Sequence, residues 1–353
     1  MSLKKLRRQV DAIDNQILRL LLRRAELVEE INLVKEKKSI EFFSPEREAE
    51  ILRRLRKVKK DILSDNDIEL IFKEIFSVFR ALKIKIAVAY LGPEGTFTHL
   101  AAVKKFGKKV TYISSETIRE VFALVEKGEA NYGVVPVENT IEGVVTHTLD
   151  MFFESSLRIC AEIVMEIHHD LLSYYPKGKI TRIYSNPQVF AQCREWLAKN
   201  FPYVQLIPAS STAKAALRVK KDRNGACIGS RILASLYGLR IISTNIQDAP
   251  SNITRFLVIS KEDSLPSGED KTSIIFSVKD KVGALHDALY SFKKFNINLT
   301  KIESRPSKRK AWEYYFFVDF EGHRTNKKVD RSLKELEKRC SFVKVLGSYP
   351  RGS

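Results

Sequence analysis

The chain has 353 residues, 44% hydrophobic and 29% charged, with 15 Gly and 11 Pro, a composition that excludes collagen-like, low-complexity and wholly disordered classes. No apolar run reaches the roughly 18–20 residues of a membrane span, and at about 100–200 residues per domain two or three domains are expected. The formal charge of +18 is spread along the whole chain without a basic arm, a zinc spacing or an aromatic-basic stacking pattern, which argues against nucleic acid and for small anionic substrates. The cysteines, Cys160, Cys193, Cys227 and Cys340, lie far apart and form no CxxC pair, and the charged N-terminus lacks a secretory pattern. Reduced thiols, no metal and a cytoplasmic enzyme or binding protein are the expectation.

From Leu3 to Val34 the apolar positions Leu3, Leu6, Val10, Ile13, Ile17, Leu20, Leu27, Ile31 and Val34 alternate steps of three and four, which predicts one continuous helix. At about 1.5 Å per residue it makes a rod of roughly 50 Å, too long for a compact monomer of this size, so a partner copy is expected. Ser44-Pro45 opens a second helix with the stripe Ile51, Leu52, Leu55 and Val58, and Ser64-Asp65 a third with Ile68, Ile71, Ile75 and Val78. Where the first stripe calls for an apolar residue at position 24, the chain has Arg24. Lys35 returns to the same helix face within about 20°, and Glu48 stands in register with Ile51 and Leu52. Two readings stay open: a buried Arg24–Glu48 salt bridge with Lys35 reaching to solvent, or a cationic pocket for a compact dianion. Arg7 points about 100° away from Arg24 and would serve a neighbouring protomer's pocket.

At Lys85 the pattern changes to alternating strands and helices, continuing to about residue 259, which predicts parallel α/β packing in two lobes with ligands in the cleft between them. A polar stretch, Ser260 to Asp270, reads as a linker. Beyond it the order strand, helix, strand, strand, helix, strand is that of a ferredoxin-like α+β module.

Several strings within this frame carry more than periodicity. They are Pro45-Glu46-Arg47-Glu48; Gly92-Pro93-Glu94-Gly95-Thr96-Phe97-Thr98-His99; Val134-Val135-Pro136-Val137-Glu138-Asn139-Thr140; Tyr184-Ser185-Asn186-Pro187-Gln188; Asn252-Ile253-Thr254-Arg255-Phe256; Gly283-Ala284-Leu285; and Glu303-Ser304-Arg305-Pro306. Together and in this order, they make the chain resemble, over nearly its whole length, the bifunctional chorismate mutase–prephenate dehydratase family. The resemblance implies an all-α dimeric mutase domain over 1–83, a two-lobed, periplasmic-binding-like α/β dehydratase domain over 84–262, and an ACT regulatory domain over 270–353. No cofactor is implied.

Residue by residue, the resemblance implies that Arg24, Lys35, Ser44 and Arg47 hold chorismate, that Glu48 accepts its ring hydroxyl, and that Arg7 enters from the partner. Lys83 stands where a Gln or Glu contacts the ether oxygen, and Phe79 where a Ser faces the site. For the dehydratase it implies Thr254 as donor to the leaving hydroxyl of prephenate, with Arg255 as anion anchor or structural partner of its strand and Glu138 and Asn139 as alternative donors. Thr96, Ser185, Gln188, Ser211 and Thr212 would contact the carboxylates. Gly283, Ala284, Leu285, Leu299, Glu303, Ser304, Arg305 and Pro306 would bind L-phenylalanine as feedback inhibitor. Competing expectations are a dehydratase acting on prephenate or arogenate beside a weak mutase, and a non-catalytic aromatic-ligand sensor.

Overall fold

A computed structural model describes residues 2–38, 43–58, 62–80, 86–175, 179–306 and 314–352. The heptad rhythm yields helix α1, Leu3–Lys37, about 52 Å long. Helices α2, Pro45–Arg56, and α3, Asp65–Arg80, follow. Ser44 precedes α2 as expected, but its hydroxyl accepts from Lys35 Nζ at 2.6 Å instead of capping the helix. Ser64 and Asp67 cap α3 reciprocally, Oγ accepting from the Asp67 N–H and the carboxylate from the Ser64 N–H. The α1 stripe, Leu6, Val10, Ile13, Ile17, Leu20, Leu27 and Ile31, stays exposed along the rod.

The middle region runs β1 (Ala87–Leu91), α4 (Phe97–Phe106), β2 (Thr111–Ser115), α5 (Ile118–Lys127), β3 (Tyr132–Asn139), β4 (Gly143–Val144), α6 (Thr146–Glu154) and β5 (Arg158–Glu166) through a first lobe. It continues as β6 (Asp170–Ser173), β7 (Arg182–Ser185), α7 (Pro187–Gln192), α8 (Arg194–Asn200), β8 (Gln205–Pro208), α9 (Thr212–Val219), β9 (Gly225–Gly229), α10 (Ile232–Tyr237) and β10 (Arg240–Ser243) through a second, and β11 (Ile253–Ser260) returns to the first. The sheets are ordered β2-β1-β3-β11-β5, with β4 on β3, and β10-β6-β9-β7-β8. The parallel expectation holds for β1 with β2 and β3 and for β7 with β8 and β9. It fails where the chain passes between lobes: β11 is antiparallel to β3 and β5, and β6 to β9 and β10. The two interlobe connections lie side by side, Ile167 N–H donating to Asn252 O and Ile246 N–H to His169 O.

The last region has the expected order: β12 (Asp270–Ser277), α11 (Ala284–Lys294), β13 (Leu299–Pro306), β14 (Tyr314–Glu321), α12 (Lys327–Glu337) and β15 (Phe342–Pro350), in an antiparallel sheet ordered β13-β14-β12-β15. One sheet face packs Ile274, Phe276, Val318 and Phe320 against its own helices. Alternation along the strands turns Ile275, Phe317, Leu346 and Tyr349 to the other face, into one core with Phe152, Ile159, Leu257 and Ile259 of the first lobe. There β15 passes so close to β5 that a Cβ on Gly347 would lie 2.2 Å from Ile159 O. Ser260 to Asp270 is consequently pinned: Ser264 Oγ donates to Cys160 O at 2.5 Å, Ser264 O lies 2.9 Å from His323 Nε2, and Arg53 of α2 donates to Ser267 O at 2.6 Å. No described helix is long and apolar enough to cross a membrane.

Candidate active sites

In the helical segment, Arg24 lies with Cζ 4.5 Å from the ring centroid of Phe79 and 5.8 Å from that of Phe76. Its Nη1 is buried without a hydrogen-bond partner among the described residues. Burial lowers the guanidinium pKa, against the opposing field of Glu48. A half-buried cation with a spare donor on an aromatic platform can take an anion. Phe79 thus supports Arg24 in place of the expected Ser. Lys35 reaches Ser44 beside it, and burial raises the Glu46 carboxyl there.

The Arg24–Glu48 bridge does not form. Arg80 takes Glu48 at 2.7 Å, both side chains being largely buried, and is itself held by Lys105 O at 3.0 Å. Arg47 points outward in an i,i+3 pair with Glu50 at 2.5 Å, so a single chain does not commit it to the Arg24 pocket. Arg7 is exposed on α1, and Lys83 lies outside the described residues.

In the middle region the β11–β3 register sets Thr254 opposite Asn139. Asn139 Oδ1 accepts the N–H groups of Ile141 and Glu142 at 2.9 and 3.0 Å, which fixes the amide so that Nδ2 donates to Thr254 Oγ1 at 2.8 Å and to Asn252 Oδ1 at 2.7 Å. Thr254 therefore accepts from Asn139 and keeps its own proton to give. Asn252, in turn, donates to Gln192 Oε1 at 3.1 Å, and Gln192 donates to Glu142 Oε1 at 2.7 Å and meets His169 Nε2 at 2.7 Å.

Several expected contacts are corrected here. Alternation sends Arg255 to the opposite face, where it donates to Glu162 at 2.7 Å, to Asp319 at 2.5 Å and to Tyr349 at 2.9 Å, so it is a structural partner and not an anchor in the cleft. Glu138 shares that face, paired with Lys301 at 2.7 Å, so it is no donor beside Thr254. Ser185 is fully buried and donates to Ile228 O at 2.8 Å. Thr96 and Ser211 cap α4 and α9, their hydroxyls accepting from His99 N–H and Lys214 N–H, and the Gly95 and Thr96 N–H groups are taken by His99 Nδ1 and Pro93 O, so the expected carboxylate contact at Thr96 is corrected and backbone N–H groups are on offer at Ser211-Thr212. Thr212 is buried under Gly229, and Gln188 sits exposed in the first turn of α7.

The Gly92–Thr98 turn bridges the lobes: Tyr237 Oη donates to Glu94 O at 3.2 Å, and Ser230 Oγ to Gly95 O at 3.4 Å. His99 is buried among Tyr90 and Tyr112 and accepts from Gly95 N–H, and burial lowers its pKa, all of which mark it as structural.

In the last region Gly283 opens α11 with φ +78°, a left-handed conformation that favours glycine. Ala284 is buried, and Leu285 and Leu299 border the helix-side core. The register aligns Ser277, Tyr315 and Arg305, so the end of β12 leading to Gly283 and the Glu303-Ser304-Arg305-Pro306 end of β13 share one end of the sheet. Between that end and α6 lies a cavity of about 700 Å³ lined by Arg305, Pro306, Tyr315, Asp150 and Phe153. Arg305 Nη2 is 3.4 Å from Asp150 there, while its buried Nε has no hydrogen-bond partner among the described residues.

Asn252, Gln192 and His169 were not singled out by spacing. Asn252 opens the Asn-Ile-Thr-Arg-Phe string, which is its sequence signal; the other two join the site only through tertiary structure. Among the described residues no group of His, Cys, Asp or Glu has metal-binding geometry.

Comparison with known proteins matches three family descriptions in chain order: chorismate mutase type II over residues 6–84, prephenate dehydratase over 88–264 and ACT domain over 272–338. A bifunctional chorismate mutase/prephenate dehydratase of Aquifex aeolicus is 50% identical over 99% of this chain and 98% of its own length, and one of Pseudomonas aeruginosa is 44% identical over the same shares. Among solved structures, the prephenate dehydratase of Arthrobacter aurescens in complex with L-Phe is 34% identical with a TM-score of 0.70, covering 75% of this chain and 90% of that one. The chain belongs to the bifunctional chorismate mutase/prephenate dehydratase family.

Proposed function

We propose that this chain rearranges chorismate to prephenate in its helical segment and converts prephenate to phenylpyruvate between the lobes of its middle region, under feedback by L-phenylalanine bound to its C-terminal region. The mutase step is a pericyclic rearrangement of a dianion and needs neither a nucleophile nor proton transfer. Catalysis there consists of selecting the compact conformer and stabilising charge that develops on the ether oxygen. The unpartnered Arg24 donor and the Lys35–Ser44 pair supply cationic groups for that purpose. A second copy laid on the exposed α1 stripe would enclose the pocket and bring Arg7 to it. Arg47, Glu48 and Lys83 complete the set on that reading, with Glu48 exchanging Arg80 for the ring hydroxyl.

In the second step prephenate loses carbon dioxide and its ring hydroxyl; the pair of electrons released by decarboxylation aromatises the ring as the C–O bond breaks, and the hydroxide leaves as water once protonated. The observation that carries this assignment is the Asn139–Thr254 hydrogen bond, which makes Thr254 an acceptor toward the protein and leaves it a donor toward the leaving oxygen. A threonine is a weak acid, so its contribution is orientation and hydrogen bonding in the transition state. The N–H groups at Ser211-Thr212, with Gln188, face the carboxylates from the second lobe, while those of Gly95 and Thr96 are taken by His99 Nδ1 and Pro93 O and shape the turn on the first. Feedback runs through Gly283–Leu285 and Glu303–Pro306, with Leu299 against the ring; of these residues Arg305 and Pro306 line the cavity against α6, whereas Leu285 and Leu299 border the helix-side core. Thr254→Ala tests the reading: phenylpyruvate formation from added prephenate is lost and mutase turnover retained, whereas near-normal dehydration would refute it.

A further inference from the structure

His169 belongs to neither lobe. It sits in the connection between β5 and β6, where its backbone carbonyl accepts from Ile246 of the returning connection and its N–H donates to Gln247 Oε1 at 3.0 Å. The side chain is buried to 1% exposure, with its ring edge-on to Phe97 at 5.5 Å.

The polarity of its bond to Gln192 follows from groups at the other end of the chain of contacts. Backbone N–H donors fix Asn139 Oδ1 as an acceptor, so Asn139 Nδ2 faces Asn252, and Asn252 must present Oδ1 to it. Asn252 Nδ2 then donates to Gln192, which must present Oε1, while its Nε2 faces the Glu142 carboxylate. An amide oxygen carries no hydrogen and can only accept, so His169 Nε2 must carry the proton. Burial disfavours the imidazolium, and Nδ1, buried and without a hydrogen-bond partner among the described residues, is the bare nitrogen of the neutral ring.

We infer that His169 is a positioning residue for the dehydratase step: its Nε2–H is a second donor to Gln192 Oε1 and anchors the Gln192–Asn252–Asn139 relay, which holds Thr254, to both interlobe connections. With the donor removed, Gln192 keeps Asn252 and Glu142 but loses the contact that ties its oxygen to the buried connection, so its amide, Asn252 and with them the alignment of Asn139 with Thr254 loosen. The inference rests on Thr254 being the donor to the leaving hydroxyl.

The test compares two neutral replacements in the full chain. Gln at 169 places an N–H at the Nε2 position, whereas Asn reaches only the Nδ1 position. His169→Asn is expected to lower dehydratase kcat by about tenfold to a hundredfold, the scale of a lost alignment, with KM for prephenate within about twofold, and His169→Gln to restore most of the loss. Mutase turnover, measured on the same samples, stays at the wild-type level and reports folding. Thr254→Val is measured alongside: full activity there would sink the Thr254 assignment itself. Loss with Thr254→Val but wild-type kcat in His169→Asn would overturn the relay alone, as would equal losses in the Asn and Gln variants.

Discussion

Thr254 and Arg255 are neighbours on β11 that serve opposite sides of one sheet. The Thr254 hydroxyl lies 2.8 Å from Asn139 Nδ2, on the side facing the second lobe, while the Arg255 guanidinium grips Asp319 at 2.5 Å in the C-terminal region. A displacement of β14 against β11 is therefore transmitted to the residue next to the proposed donor, and Ser273, bonded to both Asp319 and Tyr349, joins β12 to the same cluster.

Asp319→Ala leaves a buried arginine with one charge partner fewer. Breaking a buried pair from one side costs about 3–5 kcal/mol, so the variant is expected to unfold at clearly lower denaturant while retaining mutase turnover in the native range. It should also respond less to L-phenylalanine. A chemical-denaturation midpoint equal to wild type would show that the cluster does not hold the two regions together.

Arg24→Ala removes the half-buried guanidinium proposed to hold chorismate. Mutase turnover is expected to fall by at least about a hundredfold, as for loss of a preorganised electrostatic group, with dehydration of added prephenate unchanged. Parallel loss of both activities in a folded protein would contradict separate sites.

The uncovered α1 stripe predicts a dimer. Each large apolar side chain gains about 1.5–3 kcal/mol on burial, so the stripe from Leu6 to Ile31 favours association strongly. Light scattering should give twice the chain mass, and a mixture of Arg7→Ala and Arg24→Ala chains should recover mutase activity by forming hybrid dimers with one intact site. A monomer, or no recovery after verified subunit exchange, opposes the shared site.

Feedback is best tested in the intact chain. A chain ending near Lys261 would expose Leu257 and Ile259 and leave Glu162 and Arg255 without Lys271 and Asp319, so its loss of regulation would be uninformative. Gly283→Val instead strains the left-handed turn that opens α11. It is expected to raise the phenylalanine concentration for half-inhibition at least about tenfold, a coupling change of about 1.4 kcal/mol, with uninhibited rates near normal. Unchanged inhibition would move the effector site elsewhere.

How far the sequence alone reaches is clearest from particular residues. The heptad steps place α1 to within a few residues, because a helix period depends only on local chain geometry. Strand β5 has no clear sequence signal: Arg158–Glu166 carries Glu162 in its middle, and that carboxylate is tolerated at zero side-chain exposure because Arg255 and Lys271, distant in sequence, neutralise it. Helix phase brought Glu48 to the face of Arg24 but carried no information about Arg80, which arrives from α3 and takes it. Ser185 resembled a ligand donor because its acceptor, the Ile228 carbonyl, is a product of sheet order. Strings in sequence identified the chemistry, while the hydrogen-bond polarity that makes Thr254 a donor belongs to the tertiary structure.

The most direct measurement supplies purified protein with chorismate alone and follows prephenate and phenylpyruvate together over time. The account predicts that chorismate is consumed, that prephenate rises and falls, and that phenylpyruvate accumulates to the same final amount, with added L-phenylalanine slowing the second phase. Chorismate left untouched, or prephenate accumulating without phenylpyruvate, would contradict it.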